Sequence, residues 1–251
     1  DLVVTVQGKT IAVPTQTNIP TYNGSDKTPS WNGYDPLKME ISGVTSASDA
    51  GSYTAIFKLS YGYLFPDGTD EARVKWTIYR AVISALPTQT GTLVADGTSK
   101  TPSWNGYDTN KMTIGGDTSG TTAGEYTATF TPTSNYKWSD GSTGGKTASW
   151  TIGKAVNSVT NSPSSIVLKS SAKTATFTVN RKGNGTITAT SNNTSVAKIK
   201  SINQNTGVVT VESVNDTTGT AKITVKVAEG TNYKAASDTT VNVTAAFVTI
   251  Y

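Results

Sequence analysis

The sequence predicts an all-β chain: three tandem β-sandwich domains without disulfides, strung into an elongated rod. Three observations carry the prediction. Thr28-Pro29-Ser30-Trp31-Asn32-Gly33-Tyr34-Asp35 returns 73 positions later as Thr101-Pro102-Ser103-Trp104-Asn105-Gly106-Tyr107-Asp108, and Pro14-Thr15-Gln16-Thr17 returns at the same shift as Pro87-Thr88-Gln89-Thr90. Apolar residues alternate with threonine in one stretch after another, the period of two that a half-buried strand requires. No long window holds an uninterrupted helical period, and the chain contains no cysteine. A repeat of this length is too large for a solenoid unit; it is one small domain, duplicated.

The elements of each copy come in the same order. Residues 1–8 are expected to belong to the last strand of a preceding unit, because Val4-Thr5-Val6 resembles a closing strand; Asp1, with no signal peptide before it, reads as a point inside a larger protein. A strand follows Pro-Thr-Gln-Thr and ends in a turn at Asn23-Gly24 or Asp96-Gly97. The strands at Trp31 and Trp104 come next, each closed by Asn-Gly, a pair that tolerates the positive φ of tight turns.

Asp49-Ala50-Gly51-Ser52-Tyr53 and Thr122-Ala123-Gly124-Glu125-Tyr126 then open the longest strands. A Tyr at the start of such a strand can turn its hydroxyl back onto the preceding loop and pin the corner between two sheets. Tyr53 and Tyr126 are therefore assigned as structural corners. Tyr53, Ala55 and Phe57 should face inward, as should Tyr126, Ala128 and Phe130. A hairpin is expected at Tyr63-Leu64-Phe65-Pro66-Asp67-Gly68 and at Tyr136-Lys137-Trp138-Ser139-Asp140-Gly141. It should return through Val74, Trp76 and Ile78, or Ala148, Trp150 and Ile152.

The third segment is built differently. Ala175, Phe177 and Val179 alternate with threonines; Ala221, Ile223, Val225 and Val227 line one face; Val241 and Val243 close it. Turn signals about 8–12 residues apart fit a sandwich. The domain limits are 1–79, 80–154 and 155–251. Tyr79-Arg80-Ala81 and Gly153-Lys154-Ala155 join them with no Gly/Ser or Pro-rich spacer, so limited swing is expected.

Composition narrows the chemistry. The chain of 251 residues is 35% hydrophobic and 15% charged, with a net charge of +4. Residues 155–251 carry nine basic and four acidic side chains, which either favour an anionic partner such as a cell-wall polymer or lie scattered on solvated faces, as Lys222 and Lys226 do beside inward Ile223 and Val225. The scattered arrangement is favoured. No apolar run is long enough for a transmembrane helix. Without His or Cys, imidazole acid–base chemistry, thiol nucleophiles and the usual zinc sites are excluded.

Ser170-Ser171-Ala172-Lys173 matches Ser-x-x-Lys but precedes a strand and lacks the partner motifs of serine acylases. Asp67-Gly68-Thr69-Asp70-Glu71 could offer oxygens to calcium, yet the second copy lacks the acidic trio, and a turn is the favoured role. No catalytic residue, cofactor or metal is assigned. The aromatic residues Trp31, Tyr34, Trp104 and Tyr107, with Tyr63, Phe65, Tyr136 and Trp138, either stack on sugars or fill the core. A small domain without disulfides needs large buried side chains, which favours the core.

The Asn-Gly turn with its Lys-Thr-Pro, the Ala-Gly-x-Tyr-Thr-Ala corner, the Tyr-x-aromatic-x-Asp-Gly stretch and the closing Trp-Thr-Ile together resemble tandem bacterial immunoglobulin-like (Big) repeats of large surface proteins. Ala55 and Ala128 stand where an immunoglobulin domain has its second Cys. Residues 155–251 resemble the group 2 bacterial immunoglobulin-like domain through Thr190-Ser191, Val196-Ala197, Thr206-Gly207-Val208-Val209, Gly219-Thr220-Ala221 and Gly230-Thr231-Asn232-Tyr233. The resemblance implies a non-catalytic stalk or adhesion module on a bacterial cell surface, a ligand-binding adhesin, or a phage virion decoration. The partners it implies are neighbouring immunoglobulin-like domains, with glycans or a host surface protein for an adhesin. No nucleic acid, membrane insertion or self-association is expected, so the chain should be a monomer.

Overall fold

The computed structural model describes residues 8–248, and every regular element among them is a strand. Val4-Thr5-Val6, read from the sequence as a preceding strand, lies outside the described residues. The chain forms two compact units. The first extends to Gln89 and adds Trp104–Asp117 and Thr127–Ala148; the second holds Thr90–Ser103, Thr118–Tyr126 and the chain from Ser149 onward. The second repeat thus contributes to both.

In the first unit, Met39–Gly43, Gly51–Leu59 and Glu71–Ile78 form a three-stranded antiparallel sheet in that order. Thr15–Gln16 pairs antiparallel with Trp31–Asn32. The alternation of Gly51–Leu59 is realised as read: Ala55, Phe57 and Leu59 are buried and Lys58 is exposed. Met39, Phe65, Trp76 and Ile78 complete this core. Fully burying a side chain such as Phe57 or Met39 contributes about 1.5–3 kcal/mol. Trp76, as the largest, also satisfies its own polar atom, its indole N–H donating to the carbonyl of Val44 at 2.7 Å. The matching part of the second repeat pairs Met112–Gly116 with Gly124–Pro132 in the same register, 73 positions on.

The expected hairpins take a different form. Gly68 N–H bonds the Phe65 carbonyl (2.9 Å) and Phe65 N–H bonds the Thr69 carbonyl (2.8 Å), so the Asp-Gly turn is present. The residues before it do not pair with the strand after it. Tyr63–Leu64 lies parallel to Lys9–Thr10, and Tyr136–Trp138 lies parallel to Ala81–Ile83. The chain entering each repeat supplies the partner, so the short strand does not need the returning one. Phe65 and Trp138 are freed to turn inward, and both are buried.

In the second unit the third segment is a sandwich of two four-stranded sheets. One has the order Val159–Ser162, Thr174–Arg181, Val208–Ser213, Ala197–Ile202; the other Ser165–Lys169, Thr239–Ala246, Gly219–Val227, Ile187–Ser191. All neighbours are antiparallel except Ser165–Lys169 and Thr239–Ala246. Phe177, Val179, Val209, Val211, Ile223, Val225, Val241 and Val243 meet between the sheets. Threonine and lysine take the outer faces, where β-branched Thr suits a pleated surface and Lys remains hydrated. The all-β fold of tandem sandwiches read from the sequence is the fold observed.

Candidate functional site

The assigned aromatic residues are half-buried and pack against a core phenyl ring in each repeat. Trp31 stands edge-on to Phe57 with ring centroids 4.9 Å apart, and Tyr34 lies 5.8 Å from the same ring. Trp104 and Tyr107 meet Phe130 at 4.9 and 5.5 Å. Each Trp presents part of its surface to solvent and rests its edge or face on a fully buried phenyl ring. Such edge-to-face contacts hold the indole in place beyond what area burial alone provides.

The corners are built as a pair of contacts each. Tyr53 donates its hydroxyl to the Asp49 carbonyl at 2.8 Å, and Tyr126 donates to the Thr122 carbonyl at 2.6 Å. Their rings lie against the buried indoles: Tyr53 on Trp76 at 4.9 Å, Tyr126 on Trp150 at 4.4 Å with the planes only 19° apart.

Four Asx-Gly-Ser/Thr turns recur at Asn23, Asp67, Asp96 and Asp140. In each the side-chain oxygen of the first residue accepts the N–H of the third, at 3.1, 3.0, 2.9 and 2.9 Å. Lys100 and Lys146 add charge: their ammonium groups bond Asp96 and Asp140 at 2.5 and 2.7 Å. The Lys100 hydrogen bond, with those from Thr98, holds Asp96 well below the usual aspartate range; Lys146 and Ser142 do the same for Asp140. Asp67, without a lysine, is lowered by the Thr69 N–H and hydroxyl. These groups are at the surface, and their chemistry is that of turn formation. Glu71 of the candidate calcium loop pairs with Arg73 at 3.2 Å. Among the described residues no group of three or more His, Cys, Asp or Glu side chains could hold a metal ion. Ser170 and Ser171 form the tip of a tight turn closed by paired bonds between Lys169 and Ala172, and Lys173, just after it, meets Asp216 at 2.6 Å.

The two stretches expected from the sequence to be linkers are themselves paired. Ala81–Ile83 begins three residues after Glu71–Ile78 ends and pairs in register with Tyr136–Trp138. Arg80 donates to the Ser134 carbonyl at 2.8 Å. Ala155 bridges Tyr233 in parallel, and Lys154 meets Glu229 at 2.7 Å. The sequence reading missed these partners. Their signal was the shared Ser134-Asn135-Tyr136-Lys137 and Thr231-Asn232-Tyr233-Lys234, a likeness between segments otherwise unlike one another.

No known protein family and no curated protein matches the chain. Its structural neighbours include surface-layer proteins, extracellular multidomain β proteins and an endo-fucoidan hydrolase of glycoside hydrolase family 107. Domains 4 and 5 of the S-layer protein SbsC are 18% identical, covering 65% of this chain and 99% of that one, with a TM-score of 0.32. SbsC domains 1–6 are 15% identical over 95% of this chain, with a TM-score of 0.34; the match spans 41% of that longer structure. Extracellular domains 3–5 of Drosophila OTK are 13% identical, with 97% and 96% covered and a TM-score of 0.30. Identities this low say nothing of ligands or partners.

Proposed function

We propose that this chain is a non-catalytic structural segment of a bacterial cell-surface protein that holds a distal binding region away from the envelope. Its domains divide at 79/80 and 154/155, and the group 2-like segment comes after the two repeats. The observation that carries the reading is the direct hand-over of strand: Ala81–Ile83, paired with Tyr136–Trp138, follows Glu71–Ile78 with only Tyr79 and Arg80 between them. A connection of two residues lacks the swing of a long flexible one. The half-buried seats of Trp31 and Trp104 on Phe57 and Phe130 add to this, because those rings already serve the cores.

Segment exchange in the parent protein tests the proposal. An unrelated rigid spacer of equal length in place of residues 8–248 should preserve the distal region's binding to its target on intact cells, and a short Gly/Ser linker should reduce it. Loss of binding with the rigid spacer would assign the recognition to this segment, making it an adhesin. Recovery of the chain in purified phage particles would place it on a virion.

A further inference from the structure

Two asparagines occupy equivalent places at the two junctions and make the same contact. Asn135 Oδ1 accepts the N–H of Ala50 at 2.8 Å, and Asn232 Oδ1 accepts the N–H of Ala123 at 2.9 Å. Ala50 and Ala123 are the same position of the two tyrosine-corner turns, 73 residues apart. The carbonyls of the two asparagines accept the N–H of Ala81 and Ala155, at 2.9 and 2.8 Å, which are the same position of the two linkers. Each asparagine therefore ties the corner of one repeat to the start of the strand that follows that repeat.

We propose that the tyrosine-corner turn is a socket, that the Ser/Thr-Asn-Tyr loop of the following domain is its plug, and that this lock sets the stiffness of each junction. The corner hydroxyl is part of the device. By bonding the carbonyl of Asp49 or Thr122, Tyr53 or Tyr126 fixes the turn whose next N–H, that of Ala50 or Ala123, faces the plug. A free N–H in a turn is an obligatory donor once water is excluded, and a side-chain amide oxygen at fixed distance satisfies it. The plug recurs on two different kinds of domain, the second repeat and the group 2-like segment, while the socket is common to both repeats. In the first repeat the plug position is Gly62: its carbonyl still accepts the N–H of Lys9 at 2.8 Å, so the main-chain half of the device is retained without the side chain.

The two locks differ in one atom pair, and the difference makes them separable. Asn135 also donates Nδ2–H to the Asp49 carboxylate at 2.8 Å. At the second junction the position of Asp49 is taken by Thr122, which has no carboxylate. Asp in place of Asn keeps the acceptor oxygen and loses the donor. Asn135→Asp therefore sets two carboxylates against each other and should open the first lock, whereas Asn232→Asp should leave the second closed.

The lock deepens the spacer reading and rests on it for its purpose. A soft junction would remove the lock, while failure of the spacer exchange would remove the spacer role and leave the lock intact. The chain lacks cysteine, so spin labels can be placed at will: Ser30→Cys with Thr109→Cys for the first junction, Ser149→Cys with Lys200→Cys for the second. Pulsed dipolar spectroscopy on the full chain at neutral pH should give narrow distance distributions. Asn135→Asp should at least double the first width, adding Asp49→Asn should restore it, and Asn232→Ala should broaden the second where Asn232→Asp does not. Unchanged widths for Asn135→Asp and Asn232→Ala, or no restoration by Asp49→Asn, would overturn the proposal. The swapped pair Asn135→Asp with Asp49→Asn keeps the test open if Asn232→Ala fails to fold.

Discussion

Tyr126 lies almost flat on Trp150, ring centroids 4.4 Å apart and planes 19° from parallel, while its hydroxyl reaches back four residues to the Thr122 carbonyl. The ring side of the contact is packing and the hydroxyl side is a hydrogen bond, so substitution separates them. Tyr126→Phe keeps the stack and should cost about 0.5–1.5 kcal/mol, the net worth of one hydrogen bond whose carbonyl can recruit water. Tyr126→Ala should cost more, about 3–5 kcal/mol, because it also uncovers Trp150. Urea melts of the full chain would compare the two, and equal effects would show that the hydroxyl carries no weight.

The buried tryptophans should rank by their surroundings. Trp76 is fully buried, with its N–H on Val44, whereas Trp31 keeps part of its surface in water. Trp76→Phe should cost about 2–4 kcal/mol, combining lost volume with a carbonyl left unpaired. Trp31→Phe should cost less than half of that. Thermal unfolding of the two variants checks the order.

A pair of glycines separates backbone strain from crowding. Gly97 and Gly116 both have positive φ, 87° and 72°, but a Cβ on Gly97 meets nothing within 4 Å, and one on Gly116 would sit 2.7 Å from the Thr127 carbonyl oxygen. Gly97→Ala should cost about 1–2 kcal/mol, the left-handed penalty alone. Gly116→Ala should cost clearly more, since the strand pair Met112–Gly116 with Gly124–Pro132 must shift. Equal destabilisation would contradict the geometry.

Acid should weaken the second repeat through Asp96 and Asp140. Their carboxylates are held below the ordinary 3.8 by Lys100 and Lys146 together with the neighbouring hydroxyl and N–H. A depressed folded-state pKa stabilises the fold above the unfolded value, and that contribution is lost as pH falls below about 4 toward the folded value. Exposure to solvent and salt keeps the effect small. Lys146→Gln should flatten the slope of stability against pH below 4, and high salt should flatten it similarly. A slope unaffected by Lys146→Gln would remove Asp140 from the acid response.

Much of the fold was legible because period-two patterning depends on local residues. Phe57, Phe130, Trp76, Trp150 and the valines of the third segment all face where alternation sends them. Met39 and Met112 were missed although both are buried: each is followed by a single alternating apolar residue, Ile41 or Ile114, too short a run to establish a period. The parallel pairing of Ala81–Ile83 with Tyr136–Trp138 was also hidden, since its partners lie more than fifty residues apart and no turn announces them. Asn135 and Asn232 stand in a shared Ser/Thr-Asn-Tyr-Lys segment, but nothing in that segment says which distant N–H each asparagine meets. Of the candidate site, the corner tyrosines were visible as a repeated motif; the contacts made around them were not.

The central claim is that stably folded β units succeed one another along the chain. Single-molecule stretching of the full chain between terminal handles tests it most directly. At about 3.3–3.6 Å per extended residue, the two repeats should each release roughly 20–25 nm of contour and the third segment roughly 30 nm, in three separate steps. One cooperative rupture releasing roughly 80 nm would contradict the claim.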